Sequence, residues 1–309
     1  MKFSTLLPGV MRYPPVVQDW EAALQPADLQ LIARTVDDLG FDSLAIPEHI
    51  VVPDELVDLM GAHWPHAMTV MAFVAGATSR IVVDSSVVVL PYHQPIVLAK
   101  AVSTLDVLSG GRVRLSVGVG HAEREFDVLG VPFHDRGRIT DEYLAAMIEL
   151  WTSDAPEFHG EHVSFDRIAF APKPVQAPHP PIWIGGNSKA AMRRAIRHDG
   201  WYPWLIGPDE LATCLDFIRS QPEYEARTTP LDVALPLQIL EVDEAHRPTG
   251  AGDGRPAELG GVDAALEAIG HLAACGVTWT SAPVPRAESL GEYLEGLHWV
   301  AEEIFPAFR

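Results

Sequence analysis

An alternating α/β chain closed into a (β/α)8 TIM barrel is the fold this sequence predicts, and three observations predict it. Short runs rich in β-branched residues alternate with amphipathic helical segments eight times, the pattern of a parallel sheet wrapped by helices. Eight repeats in 309 residues suit a closed barrel better than an open doubly wound sheet. Hydrophobic residues make up 48% of the chain, and glycine and proline are spread along it rather than gathered in a linker. One domain over residues 1–309 is therefore expected.

In chain order, strands are expected at Lys2–Leu7, Ser43–Pro47, Ile81–Leu90, Arg112–Gly118, Ile182–Ile184, Gly200–Pro203, Val233–Leu240 and Val277–Thr280. The runs Ser86-Val-Val-Val-Leu90 and Val113-Arg-Leu-Ser-Val117 show the β-branched character of barrel strands. Helices are expected near Pro26–Leu39, Ala67–Thr78, Ile96–Leu108, Ile139–Trp151, Lys189–Arg197, Pro208–Arg219, Val262–Ala273 and Ser289–Ile304. Pro26 and Pro208 open two of them, while Gly40 and Gly276 follow the first and seventh, the usual placement of these residues at helix ends. Two stretches break the rhythm. Glu157–Pro181 carries a turn-like His-Gly-Glu-His, a β-prone Val163-Ser-Phe165 and then five prolines, and reads as an inserted hairpin and loop. Glu244–Gly261, rich in Gly, Pro and charge, reads as a mobile loop.

Charge and cysteine usage narrow the function. With 22 basic and 42 acidic residues the formal charge is −20, which argues against a general nucleic-acid or anionic-membrane surface. Any phosphate site must be built locally from backbone N–H groups and a few basic side chains. The two cysteines, Cys214 and Cys275, lack metal-site spacing, so buried thiols in a reducing compartment are expected. Ser4, Thr5 and Pro8 break the opening apolar run, and nothing approaches the ~18 apolar residues of a membrane span. A cytoplasmic location is expected.

Barrel enzymes work at the C-terminal ends of their strands, so the residues just beyond each strand are the ones to inspect. Glu48 and His49 follow the second strand, Pro91-Tyr-His93 the third, Gly118-Val-Gly-His121 the fourth, Gly185-Gly-Asn-Ser188 the fifth and Trp204 the sixth. Histidines stand at three of these ends. His49 would trade a proton near neutral pH, held by a carboxylate such as Glu48, or would simply pack against neighbouring loops; His121 carries the same two readings. Gly185–Ser188 precedes a helix holding Lys189, Arg193, Arg194 and Arg197. It is either a phosphate cradle or an ordinary βα turn with Ser188 as cap. Gly118-Val119-Gly120 is equally open and lacks the third glycine of a dinucleotide fingerprint. His63 and His66 flank Trp64-Pro65 without zinc-site spacing, so no metal site is assigned.

Four stretches, taken together and in order, carry a family resemblance. They are Leu39-Gly-Phe-Asp-Ser-Leu-Ala-Ile-Pro-Glu-His49; Leu90-Pro-Tyr-His-Gln-Pro-Ile-Val-Leu-Ala-Lys100 running into Thr104–Arg112; Val117-Gly-Val-Gly-His121 with Glu125-Phe126 and Gly130-Val-Pro-Phe133; and Pro172–Gln176 through Pro180-Pro-Ile-Trp-Ile-Gly-Gly-Asn-Ser188. The chain resembles the luciferase-like monooxygenases and, within them, the branch using the deazaflavin coenzyme F420. The resemblance implies that His49 faces the redox ring and that Glu48 stands where relatives often have Asp. It places a non-prolyl cis peptide within Ser85-Ser86-Val87, so that Ser86 and Val87 back the ring. It gives the ribityl phosphate to the loop Gly118–Arg124 (Gly118, Val119, Gly120, Arg124) and to Gly185, Gly186, Asn187 and Ser188. His121 stands where sugar-phosphate dehydrogenases of the deazaflavin branch carry Glu, which argues against that substrate and makes His121 a candidate proton donor.

The implied activity is hydride transfer between F420 and a small organic substrate, with His49 or His121 managing the proton. An alternative keeps the fold but uses reduced FMN and oxygen, fed by a separate reductase. Another is a flavin- or deazaflavin-binding protein without turnover. A homodimer through helices beside the second and third strands is also implied.

Overall fold

The computed structural model describes residues 1–237 and 261–309. Its strands are β1 Lys2–Leu6, β2 Ser43–Ile46, β3 Val82–Ser85, β4 Val88–Val89, β5 Val113–Gly118, β6 Phe158–His159, β7 Ser164–Phe165, β8 Ile182–Gly185, β9 Gly200–Tyr202, β10 Asp232–Val233 and β11 Trp279–Ser281. Helices are α1 Pro26–Leu39, α2 Val57–Met60, α3 Ala67–Ala77, α4 Pro95–Ser109, α5 Glu123–Leu129, α6 Arg136–Thr152, α7 Lys189–Ile196, α8 Pro208–Arg219, α9 Pro222–Glu225, α10 Val262–Ala274 and α11 Leu290–Trp299. The parallel sheet runs β10-β9-β8-β5-β3-β2-β1-β11, with β4 continuing the third position against β5. A bridge between Ala234 and Trp279, with Leu235 N donating to Trp279 O at 3.0 Å, joins the two ends. The eight expected barrel positions are all present, and the barrel is closed.

Local physics sets the boundaries. Pro26 occupies the first turn of α1, and Gly40 ends it at φ +82°, a left-handed conformation that glycine adopts without Cβ strain. The buried Ile32, Ala33 and Val36 form the face of α1 turned to the barrel. Asp37 beside them accepts from the backbone N–H groups of Ser79, Arg80 and Ile81, fixing where the third strand begins. Glu142 on α6 does the same for the inserted hairpin, accepting from Glu161, His162 and Val163. The hairpin itself is β6 against β7, antiparallel, inside the expected insertion.

Three expectations are corrected. The third strand is not one run over Ile81–Leu90: it breaks at a cis peptide between Ser86 and Val87, inside the triplet named for it, and resumes as β4. The stretch after the fourth barrel strand is not all loop, since Glu123 opens helix α5 and Arg124 lies on it. The C-terminal helix ends at Trp299 and continues to Ile304 as a wider π turn. Of the loop expected at Glu244–Gly261, all but Gly261 lies outside the described residues, as does Gln238–Leu240 of the seventh strand.

The main core lies between barrel wall and helices, while Trp183, Ala234 and Trp279 with Tyr202 form a separate cluster. That second cluster is not the stack of branched aliphatics usual inside such barrels. Arg114 and Asp84, paired across β5 and β3, are 4% and 2% exposed and meet at 2.6 Å. Ser43 accepts from the same guanidinium, and Ser116 donates to Asp84. Charges placed in the interior are tolerated only when paired and hydrogen-bonded in this way. Among the described residues no helix is long and apolar enough to cross a membrane.

Candidate active site

At the C-terminal end of the barrel the chain leaves β2 through Pro47, Glu48 and His49, and His49 meets a carboxylate from far along the sequence. Its Nδ1 lies 2.9 Å from Glu125 Oε2, a residue of α5 with no exposed side-chain surface. The same carboxylate accepts from Ile50 N (2.8 Å), Val51 N (3.1 Å) and the Tyr92 hydroxyl (3.0 Å). Burial works to raise the Glu125 pKa, but His49 and the N–H groups of Val51 and Ile50 outweigh it and hold it below the ordinary carboxylate value. An ionised carboxylate only accepts, so Nδ1 of His49 carries the proton and Nε2 is left for a ligand. Burial, then the neighbouring Glu125 charge, push the Tyr92 phenol well above its usual range, so it stays a donor.

Sequence adjacency suggested Glu48 as the carboxylate for His49; the structure corrects this. Glu48 is 3% exposed and pairs instead with His93, whose Nε2 lies 2.7 Å from Oε2. Its other oxygen accepts from Ala67 N at the start of α3, where the helix dipole favours negative charge. The two pairs interlock: neighbours 48 and 49 reach His93 and Glu125, while neighbours 92 and 93 reach Glu125 and Glu48.

His49 is surrounded by rings. The Trp64 ring meets it edge to face at 4.6 Å between centroids, and His121 does so at 5.8 Å. Trp64 is fixed by its own indole N–H, which donates to Gly61 O (3.0 Å) and Met60 O (3.2 Å). His121 is open to solvent at the barrel mouth yet has protein packed densely around it. That crowding, and then the nearby His49, lower its pKa, with Glu125 pulling weakly the other way. His121 thus stands beside a His49 whose Nδ1 is tied to a carboxylate, two imidazoles with different surroundings in one place.

The two glycine turns differ. At Gly118 an added Cβ would lie 2.8 Å from Val87 Cγ2, and at Gly185 one would lie 3.3 Å from Val87 Cγ1. Their missing side chains therefore make room for Val87, where the sequence alone left a ligand cradle and an ordinary turn both open. Gly120, at φ +80°, is closed off by Phe126 and Val89, each 2.7 Å from where a Cβ would stand. Val119 is half-buried between these glycines, and Arg124 is exposed beside Asp127 at 3.7 Å. Ser86 Oγ lies 3.1 Å from the Tyr202 hydroxyl. In the other turn, Gly186 takes φ +115° and Ser188 caps α7 by accepting from Ala191 N. Asn187 is tied to the end of the next strand: its side-chain amide accepts from Trp204 N at 2.8 Å and donates to Trp204 O at 2.6 Å. Among the described residues nothing accepts from the backbone N–H groups of Asn187 and Ser188, which leaves donors free at the α7 N-terminus.

Glu125, Tyr92, Trp64 and His93 complete the arrangement and were not named as site residues from the sequence. The recurrence of His and Tyr beyond the strands was the available signal for two of them. Glu125 lies 76 residues from His49, on a helix that the sequence reading did not assign.

Comparison with known proteins places this architecture. Residues 1–244 match the family of luciferase-like monooxygenases. An uncharacterized protein of Mycobacterium tuberculosis is 30% identical over 229 residues, covering 70% of this chain and 79% of that one. An FMNH2-dependent dimethylsulfone monooxygenase of Pseudomonas putida is 35% identical over 139 residues, covering 44% and 38%. In structure, the coenzyme F420-dependent tetrahydromethanopterin reductase of Methanopyrus kandleri superposes with a TM-score of 0.73 at 15% identity, over 100% of this chain and 99% of that one. With four fifths of its length inside the family match, and with the closed parallel barrel that goes with it, the chain belongs to the luciferase-like monooxygenase family of flavin- or deazaflavin-dependent oxidoreductases.

Proposed function

We propose that this protein is an F420-dependent oxidoreductase that moves a hydride between the deazaflavin and a small organic substrate held at the barrel mouth. The observation that carries the reading is His49: Glu125 holds its Nδ1, and Nε2 remains for a substrate oxygen. The residues present suit the cofactor. The free N–H groups at Asn187 and Ser188, with Lys189 on the same helix, would hold its phosphate. Val87, wedged against Gly118 and Gly185, with Ser86 tied to Tyr202, would form a firm wall for its ring. When bound, the deazaflavin supplies or accepts the hydride at C5.

The chain's own part is proton handling and positioning. Taking an alcohol to a carbonyl releases a hydride and a proton, and His49 Nε2 takes that proton from the substrate hydroxyl. In the reverse direction it returns the proton to the carbonyl oxygen. Glu125 steadies the resulting imidazolium and holds the ring in place, while Tyr92 fixes Glu125. Exposed Leu6, Ile50, Val51 and Trp204 make the mouth's rim apolar, which favours an uncharged substrate.

The likeness over the full length of an F420-dependent reductase supports this cofactor. Reduced FMN with oxygen and a separate reductase is the second reading, supported by the FMNH2-dependent relative. Titration with both cofactors, followed by anaerobic assay of F420 bleaching and aerobic oxygen uptake with FMNH2, separates them. No binding of the deazaflavin at millimolar concentration overturns the choice. A homodimer is part of the proposal: Val97 and Leu108 on α4 are 67% and 76% exposed, and their eleven-residue spacing puts them on one side of the helix. Light scattering of Val97→Asp/Leu108→Asp should report monomer where the unaltered chain is dimeric.

A further inference from the structure

Resting on the hydride-transfer reading above, we infer that Trp64 selects the substrate by packing against the larger, apolar substituent of the carbon whose oxygen meets His49. The loop that carries Trp64 beyond β2 is clamped by the loop beyond β1. Arg12 N donates to His63 O at 2.9 Å, one residue before Trp64. Gly61, three residues before it, takes φ +67°, and a Cβ there would stand 2.1 Å from Arg12 O, an approach that only glycine permits. The indole N–H is already spent on Gly61 O and Met60 O, and the Tyr13 ring lies 6.1 Å away between centroids. Trp64 is half-buried, so part of its ring is left for a ligand, and with its N–H used that surface is apolar.

A carbon that gives up a hydride spends one bond on that hydrogen and one on the oxygen at His49 Nε2. Its two remaining substituents then have set directions, and the neighbours of His49 are unlike. Trp64 stands 4.6 Å from the imidazole between centroids and offers aromatic surface on a clamped loop. His121 stands 5.8 Å from it and is exposed and polar. Among the described residues no ring contact joins Trp64 to His121, so they adjoin different parts of the imidazole. An aryl or branched alkyl arm gains by leaving water against Trp64, whereas a methyl group loses little beside His121. The substrate is thus a secondary alcohol or its ketone with one bulky apolar arm and one small arm. Swapping the two arms puts the bulky one beside the exposed histidine, so mirror-image alcohols are treated unequally.

Kinetics of the F420-loaded protein with the two enantiomers of 1-phenylethanol test this. The ratio of their kcat/KM values should lie far from one, move toward one by ~10-fold in Trp64→Ala and Trp64→Leu, and stay near the unaltered value in Trp64→Phe. Both enantiomers meet the same sample, so the ratio does not depend on how much of a variant is folded. A ratio near one in the unaltered protein, or the same ratio in all variants, overturns the inference and leaves Trp64 as mere support for His49. Binding is read separately, by nuclear magnetic resonance of protein labelled at its tryptophan indole nitrogens, with and without oxidised F420. The Trp64 signal, identified by its loss in Trp64→Phe, should shift saturably with acetophenone and far less with acetone. Such a shift without any F420 turnover overturns the hydride-transfer reading and keeps the contact at Trp64; turnover without the shift overturns the contact, and absence of both overturns the two together.

Discussion

His49–Glu125 and His93–Glu48 are the same pair of groups, 2.9 and 2.7 Å apart at one barrel end, and they differ in what surrounds them. Glu125 collects four donors, two of them backbone N–H groups of the loop that carries His49. Glu48 collects two, one from His93 and one from the start of α3. His49 commits Nδ1 and keeps company with Trp64 and His121; His93 commits Nε2 and meets His66 at 5.9 Å between centroids. A histidine and a carboxylate in contact do not define a catalytic pair. The difference lies in which nitrogen remains for a ligand and in how firmly the carboxylate is itself held.

The largest expected effect separates the two histidines. His49→Ala should lower kcat/KM by ~10²–10⁴-fold, whereas His93→Ala should lower it less than ~10-fold. Steady-state kinetics on both variants checks this, and equal losses would erase the distinction. Glu125→Gln comes next. A carboxamide cannot accept from all four donors, so kcat/KM should fall by ~10–100-fold, with a changed pH profile because the charge behind His49 is gone. Glu48→Gln should instead show mainly as about 1–3 kcal/mol of lost stability in denaturant titration, with turnover close to that of the unaltered protein.

Acid should weaken the mouth through both Glu125 and His121. Glu125 has a lowered pKa when folded, so its contribution is present above its unfolded value and is lost as pH falls through the folded one. His121 is also lowered when folded, so the unfolded chain binds its proton first and stability again declines with falling pH, starting near the ordinary histidine value. Both signs agree. Chemical denaturation at a series of pH values should show stability rising with pH across this acid range, and His121→Asn should reduce the upper part of the slope, which His198, pushed down to about 4 chiefly by burial, shares. The smallest of these effects is that change in slope.

The barrel was legible because its signals are local and repeated: β-branched runs, prolines opening helices, glycines closing them. All eight strand positions and the inserted hairpin follow from such features. The break at Ser86–Val87 was located only through resemblance, since Ser86-Val-Val-Val-Leu90 has nothing but β-forming character of its own. At the site, His49 was visible from its place beyond a strand. Its partner was not, because choosing Glu125 over the adjacent Glu48 depends on how α5 folds back over the barrel end, a long-range packing fact without a sequence period. The polar barrel interior was hidden for a related reason. Arg114 and Asp84 sit in strands whose alternation is ordinary, and only their meeting across neighbouring strands shows that each neutralises the other.

The wedging of Val87 between two glycines has a consequence for how this barrel end can change over time. Gly118 cannot gain even a methyl group while Val87 keeps both of its own, and Gly185 is nearly as constrained. The three positions therefore behave as a single heritable unit, in which a substitution at one is tolerated only after another has shrunk. Gly118→Ala should be harmful alone and substantially rescued by Val87→Ala, a non-additivity that a double-mutant cycle would measure directly.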